Sequence, residues 1–210
     1  MIRKVVIGAF ALFVTAGAVN AQTQFGIKGG YNAAAMTTDE SGTKSKSLSS
    51  FNAGVVADIG ITEMFSVRTG LDLQGKGTQW GVAGGTGKLN PLYLELPVTF
   101  TVNFPLGDAT KLYAGAGPFV GVGVGGKFKT TGTFWGLADG ERSLNFGNET
   151  GDDLKKVDGG VNVAGGLKFN EKFGLHVQYG IGLVNTAPKA DADNRKNNTR
   201  TFGVSGIFYF

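Results

Sequence analysis

Eight segments of period-two alternation, connections that switch between short and long, and an aromatic last residue predict an all-β chain. The architecture they predict is an eight-stranded antiparallel up-and-down transmembrane β-barrel. The last strand shows the pattern most plainly. Phe202, Val204, Gly206, Phe208 and Phe210 share one face, and Thr201, Gly203, Ser205, Ile207 and Tyr209 share the other. A closing strand that ends on an aromatic carboxy terminus gives the other alternations their sense: the apolar face is turned to lipid.

The strands follow in order. The first covers about residues 23–33, with Phe25 and Ile27 opposite Gln24 and Lys28. The second, about 50–59, sets Phe51, Ala53, Val55, Ala57 and Ile59 against Asn52 and Asp58. The third, about 65–76, sets Phe65, Val67, Leu71 and Leu73 against Arg68, Asp72, Gln74 and Lys76. The fourth, about 92–102, carries Leu92, Leu94, Leu96, Val98 and Phe100 opposite Tyr93, Glu95 and Thr99. The fifth, about 111–125, alternates Leu112, Ala114, Val120 and Val122 with Tyr113, Gly115, Phe119 and Gly121. The sixth, about 157–169, places Val161, Val163 and Phe169 against Asp158, Asn162 and Lys168. The seventh, about 173–185, places Phe173, Leu175, Val177 and Tyr179 against His176 and Gln178. Long connections follow the odd strands (36–49, 77–91, 126–156, 186–200), and short ones follow the even strands (60–64, 103–110, 170–172). Short periplasmic turns and long outer loops are the habit of outer-membrane barrels, so both termini are expected in the periplasm.

The amino terminus has a different character. Arg3 and Lys4 precede the apolar run Val5 to Val19 and the small-residue site Val19-Asn20-Ala21-Gln22. This predicts a cleaved signal peptide over residues 1–21, leaving residues 22–210 as one barrel domain. Its loss lowers the formal charge from +4 to +2, so the basic balance gives no reason to expect nucleic acid. The chain has no cysteine, which excludes a lipoprotein signal, disulfides and thiolate metal sites. Glycine is the outlier, at 36 of 210 residues, against a usual share of about 7%.

Seven phenylalanines, Phe25, Phe65, Phe100, Phe169, Phe173, Phe208 and Phe210, lie on the apolar face near a short turn or a barrel terminus. They predict an aromatic girdle at the periplasmic rim. Phe208 and Phe210 also form the expected assembly signal. Four landmarks stand beside them: Gly29-Gly30-Tyr31-Asn32, Tyr93-Leu94-Glu95-Leu96-Pro97, Gly115-Ala116-Gly117-Pro118 and the terminal Phe210. Together they resemble the PorT-like outer-membrane β-barrel family common in Bacteroidetes, often labelled "porin family". The resemblance covers essentially the whole mature chain. It implies a Gram-negative outer membrane, with a surface or secretion-system protein as one class of partner.

The polar face carries Lys28, Arg68, Lys76 and Lys168 together with Asp58, Asp72, Glu95 and Asp158. Four charges of each sign in a narrow lumen predict an internal salt-bridge network, because a buried charge is costly unless paired. Eight strands enclose a space just wide enough for side chains, so no open solute pore is expected. Inward glycines of strands five to seven, Gly166 among them, are expected to make room for Tyr93, Tyr113, Phe119 or Arg68; a small ligand cavity is the alternative.

Several apparent motifs dissolve on inspection. The segment 83–89 imitates a phosphate loop but has Val82 and Leu89 where Gly and Ser or Thr are needed. His176, the single histidine, lies near a periplasmic turn and faces inward, unsuited to catalysis on outer-leaflet lipid. Asp152, Asp153, Asp191, Asp193 and Asn194 lack calcium-loop spacing. No catalytic residue, cofactor or metal is expected. The long fifth connection gathers Phe128, Phe134, Trp135, Leu137, Leu144 and Phe146. These residues either pack on a hairpin that rises above the membrane or form an exposed patch. Trp80, Phe134 and Trp135 are the candidate partner surface.

The functional expectation is an integral outer-membrane barrel with a structural, adhesion or secretion-accessory role, and not an enzyme. The alternatives are a small-solute or ligand-binding barrel, either a narrow porin or a lipocalin-like chain with its apolar face inward, and an outer-leaflet lipid-modifying enzyme. Expected partners are outer-membrane lipid, periplasmic chaperones and the barrel-assembly machinery.

Overall fold

The computed structural model describes residues 23–38, 45–82, 84–188 and 196–210. The expected signal peptide and Asp191, Asp193 and Asn194 lie outside the described residues. Eleven strands run in chain order: β1 (Thr23–Thr38), β2 (Ser45–Lys46), β3 (Leu48–Gly60), β4 (Phe65–Gly75), β5 (Thr78–Val82), β6 (Gly85–Pro105), β7 (Thr110–Gly132), β8 (Gly140–Ser143), β9 (Val157–Phe169), β10 (Phe173–Gly182) and β11 (Asn197–Tyr209). The described residues contain no helix long and apolar enough to cross a membrane, so any crossing is made by strands.

Eight of the strands close a ring in which every neighbour is antiparallel: β1, β3, β4, β6, β7, β9, β10 and β11, with β11 returning to β1. The stagger follows from the register. From Thr23 the pairs Ile59, Val67, Phe100, Ala116, Val163, Tyr179 and Phe202 lead back to β1 at Ala33, ten residues further on. Such a shear requires strands tilted by roughly 35–45° to the barrel axis. The start of β1 and the end of β11 meet at one end, where the Phe210 N–H donates to the Phe25 carbonyl at 3.0 Å.

The short strands β2, β5 and β8 lie beyond the ring, on its other rim. They add to β6 and β7, which continue past the barrel as a tall sheet. The fourth and fifth strands are therefore much longer than the alternation indicated. On β6 the outward face turns polar at Asn90 and Lys88, and on β7 a bulge explains the difference. Leu92 pairs Gly125 while Tyr93 pairs Gly123, so Val124 is an extra residue and the outward parity of β7 flips. Above the flip, Phe128 faces inward with Leu89, and Lys127 and Lys129 face outward with Asn90 and Lys88.

The two faces of the wall decide which solvent the barrel meets. Ile27, Tyr31, Val55, Leu71, Leu94, Val120, Val163, Leu175, Tyr179 and Phe202 are exposed on the outside. Lys76, Glu95, Asp158, Asn32, Asn52 and Gln74 are buried inside. A soluble lipocalin-like barrel needs the reverse. A band of apolar side chains around a polar interior is stable only where the outside is hydrocarbon.

Candidate functional site: the lumen and the outer hairpin

The lumen holds three tiers of polar contacts. At the periplasmic end, Arg68 forks onto Asp58, Nε to Oδ1 at 2.6 Å and Nη2 to Oδ2 at 2.7 Å. The Tyr209 hydroxyl adds a donor to Asp58 at 2.9 Å, and the guanidinium stacks 4.0 Å from the Tyr113 ring centroid. Midway, Lys28 reaches Asp72 at 2.6 Å. Beside this pair an amide chain runs from Gln74 through Asn32 and Asn52 to Ser205, each link 2.7 Å. Towards the outer end, Lys76 is held by Glu95 and by Asp158 (2.8 Å), and the Thr199 hydroxyl donates to the same Asp158 at 2.9 Å. The Lys76 ammonium also lies 4.2 Å from the Phe119 ring centroid.

Seven of the eight charges predicted for the lumen thus pair with one another. Lys168 is the departure. It sits beside the last periplasmic turn and pairs Glu171 at 2.9 Å, with Gln24 as a second partner and the Tyr209 ring 4.4 Å away. The lumen acid at this end, Asp58, is already filled by Arg68 and Tyr209. The amide chain and Tyr209 were not anticipated as partners of the charges, although inward parity marks all of them. His176 is buried; its Nδ1 lies 2.8 Å from the Tyr113 hydroxyl and its Nε2 lies 3.2 Å from Gln178 Oε1. Glycine provides the space: a Cβ on Gly166 would run into the Tyr113 hydroxyl and the Leu175 carbonyl. A cavity of about 20 Å³ remains among Lys28, Arg68, Asp72, Asn162, His176 and Gln178, room for about one water.

The seven girdle phenylalanines are all exposed on the outer wall. Phe169, Phe173 and Phe208 are direct cross-strand neighbours on three adjacent strands. Ile61, Met64, Phe104 and Leu106 are exposed at the same rim. They escaped the sequence pattern because three of them fall in turns and Phe104 lies at the ragged end of β6.

Above the membrane the fifth connection divides. Its later part folds inward, where Leu144 and Leu154 are buried with Met36 and Leu89, and Phe146, Phe128 and Trp80 pack on them. Phe146 meets Tyr93 edge to face at 5.7 Å and occupies the space that a Cβ on Gly123 would need. An apolar cap thereby sits over the polar lumen. Arg142 grips Asp153 at 2.7 and 2.5 Å outside this cap. Burial works to raise the Asp153 carboxyl, but Arg142 and the Asn145 N–H hold it below the ordinary carboxylate value. Asp152 accepts from the Glu149 N–H at 2.8 Å. Both acids are spent on the loop itself.

The earlier part of the connection is a hairpin with a two-residue turn. Phe134 and Leu137 exchange backbone hydrogen bonds of 3.0 and 2.9 Å around Trp135 and Gly136. Both central residues have positive φ, 48° and 80°, as a type I′ turn requires. This corrects the proposed partner surface. Phe134 is buried, lying over Gly87, and Trp80 is partly buried against the cap. Only Trp135 projects, 60% exposed, its ring 4.6 Å from that of Phe134.

Residues 20–187 match the family model described as "Outer membrane protein beta-barrel domain". The chain belongs to that family. It is an integral outer-membrane β-barrel, and its location is the outer membrane. No curated protein matches the chain. Among solved structures, this outer-membrane barrel is similar to Ail, the attachment invasion locus protein of Yersinia pestis, with 15% identity, 89% of this chain and 98% of that chain covered, and a TM-score of 0.41. It is also similar to Neisserial surface protein A, at 11% identity, 89% and 97% coverage and a TM-score of 0.45. A third similar structure is the outer membrane enzyme PagL, at 17% identity, 85% and 98% coverage and a TM-score of 0.34.

Proposed function

We propose that this outer-membrane barrel is a closed, non-enzymatic surface protein that contacts a surface or secretion-system partner through the tip of its outer hairpin. Trp135 carries this reading. A bulky residue in the left-handed region costs about 1–2 kcal/mol, and Gly or Asn would fill the position without that cost. This indole stands in a strained position at the far end of a membrane-anchored hairpin, 60% exposed and with the Phe134 ring as its ring contact. Strain of this kind marks sites kept for contact.

Other features support the remaining parts of the proposal. Paired charges and an apolar cap oppose a solute path. His176 is enclosed by Tyr113, Arg68 and Gln178 and faces away from lipid, which speaks against acyl or phosphate chemistry on the outer leaflet. The four sequence landmarks favour a PorT-like, Bacteroidetes-type member of the family. A cleaved signal peptide, periplasmic chaperones and the barrel-assembly machinery complete its route to the membrane, with Phe208 and Phe210 as the assembly signal.

The test is a crosslinked pull-down from intact cells that compares the parent chain with Trp135→Ala and Trp135→Asn. Losing an interface anchor costs about 2 kcal/mol or more, so both variants should lose the partner roughly thirtyfold. Heat-modifiable gel mobility should be retained, and the Asn variant should melt at or above the parent temperature. Equal partner yield from all three chains, or recovery of the barrel with lipid alone, would sink the proposal.

A further inference from the structure

The outer face of the tall sheet carries a row of lysines just above the lipid-facing band. Across five strands Lys46 faces Gln79, Gln79 faces Lys88, Lys88 faces Lys129, and Lys129 faces Glu141. Directly paired residues share a face of a sheet. Lys127 lies on the same face, two residues from Lys129 and opposite Asn90. Lys46, Lys88, Lys127 and Lys129 are all exposed. Glu141 is the one acid in the row; it pairs Lys127, whose ammonium holds its carboxyl below the ordinary value. Lys46, Lys88 and Lys129 form no ion pair among the described residues.

Two observations point to an anionic occupant. Like charges directly opposite on a sheet destabilise it, and Lys88 and Lys129 are such a pair. The height of the row is the second. On β6 the outward face runs Leu94, Leu92, Asn90, Lys88. Lys88 is four residues above Leu92, about 13 Å along the strand and about 10 Å along the membrane normal at a tilt near 40°. Lysine stems reach back along apolar surface while the head stays in the polar layer. That places the ammonium groups at the depth of lipid headgroups, continuous with the band that lipid already covers.

We propose that this lysine row binds the phosphate groups of outer-leaflet lipid headgroups. The occupant is the headgroup of the surrounding lipid, and the row anchors the tall sheet against the membrane surface. Trp135 plays no part in it, so either proposal can fail alone.

The test uses the membrane-extracted full chain in zwitterionic micelles, titrated with diphosphorylated lipid A and, separately, with the same glycolipid after removal of its phosphates. The comparison chain is Lys88→Gln/Lys129→Gln. At about 1 kcal/mol per lysine and tenfold per 1.4 kcal/mol, the double variant should bind the diphosphorylated lipid roughly thirtyfold more weakly. The dephosphorylated lipid should bind both chains weakly and equally. In lipid-free micelles the double variant should melt at or above the parent temperature, because repulsion has been removed. Three outcomes would overturn the proposal: undiminished binding by the double variant, equal binding of the dephosphorylated lipid, or full competition by millimolar inorganic phosphate, which would make the row a free-anion site. Melting below the parent in lipid-free micelles would also count against it, by assigning the lysines to the fold.

Discussion

Arg68 shows how much a single side chain can commit. Its guanidinium is spent on the Asp58 carboxylate, the Tyr113 ring and the Tyr209 hydroxyl, all inside the wall. Removing one partner of a buried pair leaves the other charge uncompensated, at a cost of about 3–5 kcal/mol. Arg68→Met should therefore lower the unfolding free energy of the barrel in micelles by about that amount. The double variant Arg68→Met/Asp58→Leu should recover most of it. Urea titrations of the parent, both single variants and the double variant make the check, and additive losses would show that the pair is not an energetic unit. At this scale the sequence was informative wherever parity alone sets the direction of a side chain, as at Lys28, Asp72 and Glu95. It was less so at Lys168, whose inward parity is right but whose partner is a turn residue, Glu171, that alternation does not register.

Strands and hairpins answer to a different rule. β9 has the bounds its alternation suggests because no bulge interrupts it. β7 outruns its alternation because Val124 resets the parity, after which Lys127, Phe128 and Lys129 look out of phase with Val120 and Val122; β6 keeps its parity, but its outward face turns polar at Asn90 and Lys88 and so no longer reads as an apolar alternation. For the same reason Phe134 and Trp135 could not be told apart beforehand: only the turn decides that one is tucked under and the other turned out. The terminal strand is the element most exposed to test. Phe210 lies beyond the last ladder residue, Tyr209, yet its N–H still binds Phe25 and its ring is on the lipid side. Phe210→Ala leaves the ladder intact and removes only the aromatic end. We expect several-fold less folded barrel in outer-membrane fractions, with periplasmic accumulation of the unfolded chain, read by heat-modifiable mobility. Undiminished assembly would dismiss the terminal ring as a signal.

The molecule as a whole inverts the usual arrangement. Its ion pairs and amides are central, its hydrocarbon is peripheral, and a small apolar core sits outside the membrane as a stopper made of Leu144, Phe146 and Leu154. An eight-stranded ring with this filling should be electrically silent in planar bilayers. Regular unit conductance steps from the purified chain would refute the closed-lumen reading.

The stopper has one more consequence. Mobile ions screen exposed charges beyond about 8–10 Å at ordinary ionic strength, whereas buried pairs are screened much less. The lumen pairs lie under the cap and behind the wall, so concentrated salt has little purchase on them. Lys46, Lys88, Lys127 and Lys129 stand in the open. One polypeptide therefore carries two electrostatic populations with different exposure to its surroundings. A cell that meets brine would loosen the collar of the barrel from the membrane surface while its interior kept its shape.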